Sequence, residues 1–318
     1  MVKLYVENFS GYIEVEVREF YCNDYPNYLA RTGKDTFIRS SELIYGVPEM
    51  IYGSKPTDDG NLILSPEEKD ELIAKNPAAE KWIHPFMGAR EFIQNKKRYC
   101  LWLVDCPPNE LRKMKLVYER VEKVREFRLA SIDKKTRKDA DTPWLFQARR
   151  QPKTDYILVP CHSSEKRFYI PMGYVSSDVI CGNANLMIPN AKFWHFGVLT
   201  SFPHMVWMRM VCGRLTSRYR YSADVVYNNF PWPPFNREVE RTALKILLAR
   251  KNYPDASYAD LYDPLIMPKD LRKAHEENDR AVMEAYDFPK NMTEKQMRLA
   301  FIDIYNKLKN FDALYNSL

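Results

Sequence analysis

Pro231-Trp232-Pro233-Pro234 divides this chain into two kinds of sequence. Proline fixes φ and has no amide hydrogen to donate, so a run this dense continues neither a helix nor a central strand. Beyond it the apolar residues recur at helical spacing. Val239, Ala243, Ile246 and Leu247 form one stripe, and Leu271, Ala274, Ala281, Val282 and Ala285 form a second. Met297, Phe301, Ile304, Leu308, Phe311 and Tyr315 form a third, behind a Thr293-x-x-Gln296 capping pattern. Three such helices make a small bundle.

Upstream of the prolines the patterns are mixed. Tyr12 to Val17 alternates apolar and acidic residues and predicts a strand. Ser65-Pro66-Glu67-Glu68 has the form of a capping box and predicts a short helix through Ile73. Tyr99 to Val104 suits a buried strand, and Asp105-Cys106-Pro107-Pro108-Asn109 turns it into a long helix from Glu110 to Ser131, with Met114, Val117, Val121 and Val124 as its inner stripe. Asp133 to Asp141 is charged and predicts a mobile loop; Tyr156 to Val159, Arg167 to Ile170 and Val179 to Ile180 predict further strands. The expectation is an α+β protein with three parts: a linker or partial-strand region over 1–40, a mixed domain over 41–233 and a helical domain over 234–318.

A formal charge of +6 and a pI near 8.8 do not by themselves imply nucleic acid. The positive excess is concentrated between Asn109 and Arg150, a run that reads as the solvated side of a helix. Six scattered cysteines, with no Cys-x-x-Cys pair and no histidine at zinc-ligand spacing, argue for a reduced compartment and no structural metal. No apolar stretch reaches membrane-spanning length, and the first residues lack a signal-peptide core, so the expected location is the cytoplasm with no membrane partner. Among the ten glycines no two lie closer than seven residues, which excludes G-x-G-x-x-G and Walker loops. This chain alone is not expected to cradle ATP, NAD or S-adenosylmethionine in the common ways.

Between Asp178 and Asp224 there is no carboxylate, while Lys192, Arg209, Arg214, Arg218 and Arg220 fall inside the gap. In Gly213-Arg214-Leu215-Thr216-Ser217-Arg218-Tyr219-Arg220-Tyr221-Ser222 the residues Arg214, Thr216, Arg218, Arg220 and Ser222 recur with period two. On one extended strand they share a face that offers donors and positive charge, as a surface meeting phosphates and base edges requires. Tyr219 and Tyr221 then pack behind it. The alternatives are a buried helix over Phe193 to Cys212, where acids are rare anyway, and arginines paired with carboxylates from elsewhere. Cys161-His162-Ser163-Ser164 holds a nucleophile and a base, but adjacent residues rarely converge as catalytic partners do. Asn229-Phe230-Pro231-Trp232 has Phe230 where an amino-methyltransferase needs proline, and so reads as a linker. His84, His195, His204 and His275 are isolated and read as packed or exposed residues.

Ser41 to Ile73, Trp82 to Lys113, Arg150 to Ile180, Leu199 to Pro233 and Asp260 to Tyr286 together resemble the C-terminal third of single-chain restriction-modification enzymes of the MmeI type. The resemblance implies a target-recognition domain followed by a C-terminal helical domain. It also implies a parent enzyme that methylates adenine N6 from S-adenosylmethionine and, in members that cut DNA, uses Mg2+. The methyltransferase would act in cis from upstream, leaving this chain no catalytic residue, cofactor or metal of its own. In that family, base-reading positions fall on Thr216 with Arg218 and on Ala184 with Arg220. Lys55, Arg149, Arg150, Lys153 and Arg214 are the expected phosphate contacts to double-stranded DNA. The other open readings are a protein-interaction module with no DNA contact and a hydrolase using Cys161 or Ser163.

Overall fold

The structure is a computed structural model that describes the backbone of residues 2–9, 12–19, 38, 43 and 46–315, with side chains for 38, 43 and 46–308. Its architecture is α+β. Tyr12–Glu19 is a strand, as its alternation predicts, paired antiparallel with Val2–Phe9. The expected boundary at 40 and 41 and the thiol of Cys22 lie outside the described residues.

The central sheet runs Ile51–Tyr52, Asn185–Pro189, Tyr156–Pro160, Gly173–Val175, antiparallel throughout. Tyr156–Pro160 is buried along its whole length, which suits a continuous apolar run with elements on both faces. Pro160 and Pro189 occupy its end rungs, where a missing amide costs least. A second sheet orders Ile180–Cys181, Ile83–Met87, Tyr99–Leu101 and Ile63–Leu64. Among the described residues two apolar clusters dominate. The larger gathers the central sheet, helices Phe193–Leu199 and Phe202–Val211, and the helices Arg237–Lys251, Lys269–Ala285 and Glu294–Tyr315 beyond the proline run. The smaller centres on helix Lys115–Leu129.

The capping box opens helix Pro66–Lys75, with the Ser65 hydroxyl accepting from the Glu68 amide and Glu68 accepting from the Ser65 amide. The long helix expected from Glu110 is instead two, Pro108–Lys113 and Lys115–Leu129, because Met114 leaves helical geometry at ψ 74°. The Leu116 amide freed there donates to Asn76 Oδ1 at 3.0 Å. The inner stripe is as read: Met114, Val117, Val121 and Val124 are all buried.

Two further expectations are corrected. Asp133 to Asp141 is an ordered helix Lys134–Lys138 followed by a 3-10 turn, because Asp133 caps its amides and Arg128 beneath it donates to the carbonyls of Asp139 and Thr142. Arg167 to Ile170 is not a strand. The Arg167 amide closes a turn onto Ser164, the Ile170 amide meets the Met205 sulfur, and among the described residues no strand pairs with the segment.

Candidate nucleic-acid interface

The central strand Tyr156–Pro160 leads through Cys161 into a short strand, His162–Ser163, and that junction organises the site. The Cys161 amide donates to the Ala184 carbonyl at 3.0 Å, and the Cys161 carbonyl accepts from the Tyr221 amide at 2.8 Å. One residue thereby ties the 182–184 turn to the arginine-rich segment. On the other side the Asn183 amide donates to Ser54, Ser54 donates to Cys181, and Lys55 exchanges two hydrogen bonds with Ala148. The Arg150 guanidinium donates to the Gly53 carbonyl at 3.1 Å. This packing requires glycine at 53, since a Cβ there would stand 2.3 Å from the Gly182 carbonyl oxygen.

The arginine-rich segment is a hairpin and not one strand. Gly213–Leu215 pairs with Arg218–Arg220, which pairs in turn with His162–Ser163. Thr216 and Ser217 make the turn, with Thr216 at φ 55°. Residues directly opposite each other share a face. Leu215 faces Arg218, while Gly213 and His162 flank Arg220, so Arg218, Arg220 and His162 line one face. Arg214 lies opposite Tyr219 and belongs to the other face, which corrects the reading that put it beside Arg218. Its guanidinium rests 4.2 Å from the Tyr219 ring centroid and donates to the Ser217 carbonyl.

Tyr219 and Tyr221 are buried behind the arginines, as the alternation implied. The Tyr221 hydroxyl meets His204 Nε2 at 2.9 Å, and burial pushes the imidazole down to about 3, so His204 is neutral at pH 7. Arg218 and Arg220 are exposed. Among the described residues no carboxylate comes within ion-pair distance of either, nor of Lys55, Arg149, Arg150, Lys153 or Arg214. Arg209, by contrast, is structural: it pairs with Glu294 at 3.2 Å and lies over the rings of Phe168 and Phe202. Phe193 to Cys212 is two buried helices, so the lack of acids there has the ordinary cause.

Ala184, exposed, stands next to Cys161 and hence near His162 and Arg220; Lys55 and Arg150 join the same side through Ser54. Arg149 is exposed beside them and donates to the Phe146 carbonyl. Lys153 is elsewhere. It precedes the opposite end of strand Tyr156–Pro160, roughly 15 Å along the chain direction, and lines a cleft of about 1120 Å³ with Lys192, Phe193, Leu244 and Leu248.

Two further residues reach the arginine face without any spacing signal in the sequence. His162 sits across from Arg220, and burial together with Arg220 and Arg218 holds its pKa below the ordinary value. Tyr52 is exposed on the edge strand paired with Asn185–Pro189; desolvation, Cys161 and Asp224 raise its pKa, while Arg220 and Arg150 lower it. No nucleophile is assembled at Cys161 or Ser163. Burial pushes the Cys161 thiol up to about 11, and its neighbour His162 faces away along the strand; the Ser163 hydroxyl is buried with no partner among the described residues. No three His, Cys, Asp or Glu side chains gather as metal ligands among the described residues, and no helix there is long and apolar enough to cross a membrane.

Comparison with known proteins bears on this arrangement. The chain is 34% identical over 281 residues to DNA methyltransferase A of Bacillus subtilis (strain 168), covering 87% of this chain and 32% of that protein. It superposes on the Type IIL restriction-modification enzyme MmeI, solved in complex with DNA, with a TM-score of 0.83 and 43% identity over 87% of this chain and 40% of that one. The chain thus spans about a third of the first relative and two fifths of the second. Residues 32–234 match the MmeI target recognition domain and residues 233–312 match the MmeI C-terminal domain, and the chain therefore belongs to the MmeI family.

Proposed function

We propose that this chain is the sequence-reading module of a site-specific adenine-N6 DNA methyltransferase of the restriction-modification type, and that it reads bases in the major groove. The observation that carries the reading is the face formed by Arg218 and Arg220, exposed, without an ion pair among the described residues and backed by the buried Tyr219 and Tyr221. A two-stranded ribbon fits the major groove, and an arginine there donates two hydrogen bonds to guanine O6 and N7. Thr216 at the tip of the turn can bond a base edge or pack its methyl group on thymine. Ala184 offers no polar group and leaves Arg220 room to turn toward its base. Lys55, Arg149 and Arg150 flank the ribbon and suit phosphate contacts, which set register. Arg214 and Lys153 have weaker geometric support, one stacked on Tyr219 and the other in the distant cleft. The DNA-bound state of the MmeI structure and the name of the Bacillus relative support the same reading.

The methyl donor, S-adenosylmethionine, and Mg2+ where the enzyme cuts, are assigned to an upstream catalytic domain in cis. No glycine cradle of this chain fits the cofactor, since its ten glycines are all dispersed, and no catalytic step is assigned to these residues. The test is selection of bound duplexes from a randomised pool. Arg218→Ala is expected to lose about 1–3 kcal/mol on the selected site and to relax preference at one base pair. Unchanged affinity and unchanged preference would remove the hairpin from the groove. No salt-dependent duplex binding by the parent chain would favour the protein-interaction reading.

A further inference from the structure

The segment Lys134–Lys138 is a short helix tied by hydrogen bonds to the segments that carry Lys55 and Arg149. Thr136 turns inward and is buried; its hydroxyl donates to Asp133 Oδ2 and accepts from Gln147 Nε2 at 3.1 Å. Gln147 also accepts from the Thr57 hydroxyl, and its sequence neighbour Ala148 exchanges backbone bonds with Lys55. Arg128, below the helix, donates to Pro56 and Thr57 and feels the charge of Arg149. The helix is therefore one side chain removed from Lys55, Arg149 and Arg150. Its outward residues Lys134, Lys135 and Lys138 are exposed, and among the described residues none of them forms an ion pair. Of the acids flanking it, Asp133 caps the helix amides, Asp139 accepts from Gln147 at 2.9 Å, and Asp141 is exposed at the end of the following turn.

We propose that helix Lys134–Lys138 is a second DNA-contacting element, whose three exposed lysines meet phosphates of the duplex flanking the bases read by the hairpin. The inference rests on the DNA-recognition reading above and extends it. A charge run on a loop free to move would give diffuse attraction only. Here Asp133, Thr136 and the buried Arg128 fix the helix that carries the lysines, and Gln147 links it to the segments that carry Lys55, Arg149 and Arg150. Duplex phosphates are the partner that matches such a surface, because each neutralised phosphate releases a counterion.

The test uses the full chain and a fluorescein-labelled duplex of about 30 base pairs of mixed sequence, with affinity measured across salt concentrations. The triple change Lys134→Ala, Lys135→Ala, Lys138→Ala is expected to reduce the slope of log K against log salt by about 2–3. Base preference in selection should be unchanged, and the triple arginine replacement should restore the slope. Lys269→Ala, Lys273→Ala and Lys290→Ala, three exposed lysines beyond the proline run, together serve as a control for net charge and should leave the slope unaltered. An unchanged slope in the triple variant, or an equal fall in the control, overturns the proposal while leaving the hairpin reading intact. No low-salt binding by the unsubstituted chain overturns both.

Discussion

Arg128 and Arg218 carry the same guanidinium to opposite fates. Arg128 is fully buried, and its five N–H groups donate to the carbonyls of Pro56, Thr57, Asp139, Thr142 and Leu145. Those bonds offset the desolvation of the charge. Burial lowers its pKa, Asp139 and Asp58 act against that fall, and Arg149 reinforces it. Arg128→Leu should fill part of the volume yet strand several acceptors, costing about 3–5 kcal/mol. A urea midpoint equal to that of the unsubstituted chain would show that the carbonyls find other donors. The contrast between the two arginines was only half legible. Period-two spacing singled out Arg218 and Arg220. Arg128 continues the stripe Val117, Val121, Val124 by one further helical step, a signal that placed it inside, but a charge run invites reading every member as solvated.

The hairpin shows why elements are harder to read than residues. Arg214 to Ser222 reads as one strand because neither central residue of its turn is glycine or asparagine, the usual mark of a two-residue hairpin. Thr216 takes positive φ regardless, held by pairing of Leu215 with Arg218 and by the third strand at His162–Ser163. What anchors the ribbon lies behind it, in Tyr221 against His204. That contact gives a pH prediction. The unfolded imidazole titrates at its ordinary value of 6.5 and the folded one at about 3, so the unfolded chain binds the proton first. The contribution of His204 is complete above pH 6.5 and is lost as pH falls toward 3. His195, pushed by burial down to about 4, and His275, also depressed chiefly by burial, act in the same direction. Asp279, raised by burial to about 7, opposes them, gaining stability as pH falls through that value. His204→Gln isolates one of these. At roughly pH 4.5 it should remove about 2–3 kcal/mol of acid destabilisation, visible as a flatter dependence of Tm on pH. An identical pH profile would mean that His204 titrates alike in the folded and unfolded chain.

At the scale of the molecule, the proline run is a change of pattern more than a break in packing. Trp232 is buried among Trp194, Tyr227 and Phe230, so the segment inserts into the core as it turns the chain. Composition shows where prolines stop an element, but it cannot show which faces meet across them. Gly197, on a helix before the run, lies so close to the helix after it that a Cβ would stand 2.8 Å from Val239 Cγ1, and its carbonyl accepts from Asn278 at 2.8 Å. Trp207 likewise faces Phe301 and Tyr305 at ring-centroid distances of 6.0 and 5.9 Å. Val239, Ile246, Leu271, Val282 and Phe301 are buried in that shared core, each worth about 1.5–3 kcal/mol. Their sum is comparable to the whole stability of a domain, about 5–15 kcal/mol. A chain ending at Pro234 is therefore expected to keep secondary structure but lose fixed tertiary packing, with a weakened near-ultraviolet circular dichroism signal and no cooperative melt. The intact chain should melt the two parts together. Should the shortened chain melt sharply with an unchanged near-ultraviolet spectrum, the residues before the prolines own a sufficient core, and the helices after them are a separable attachment.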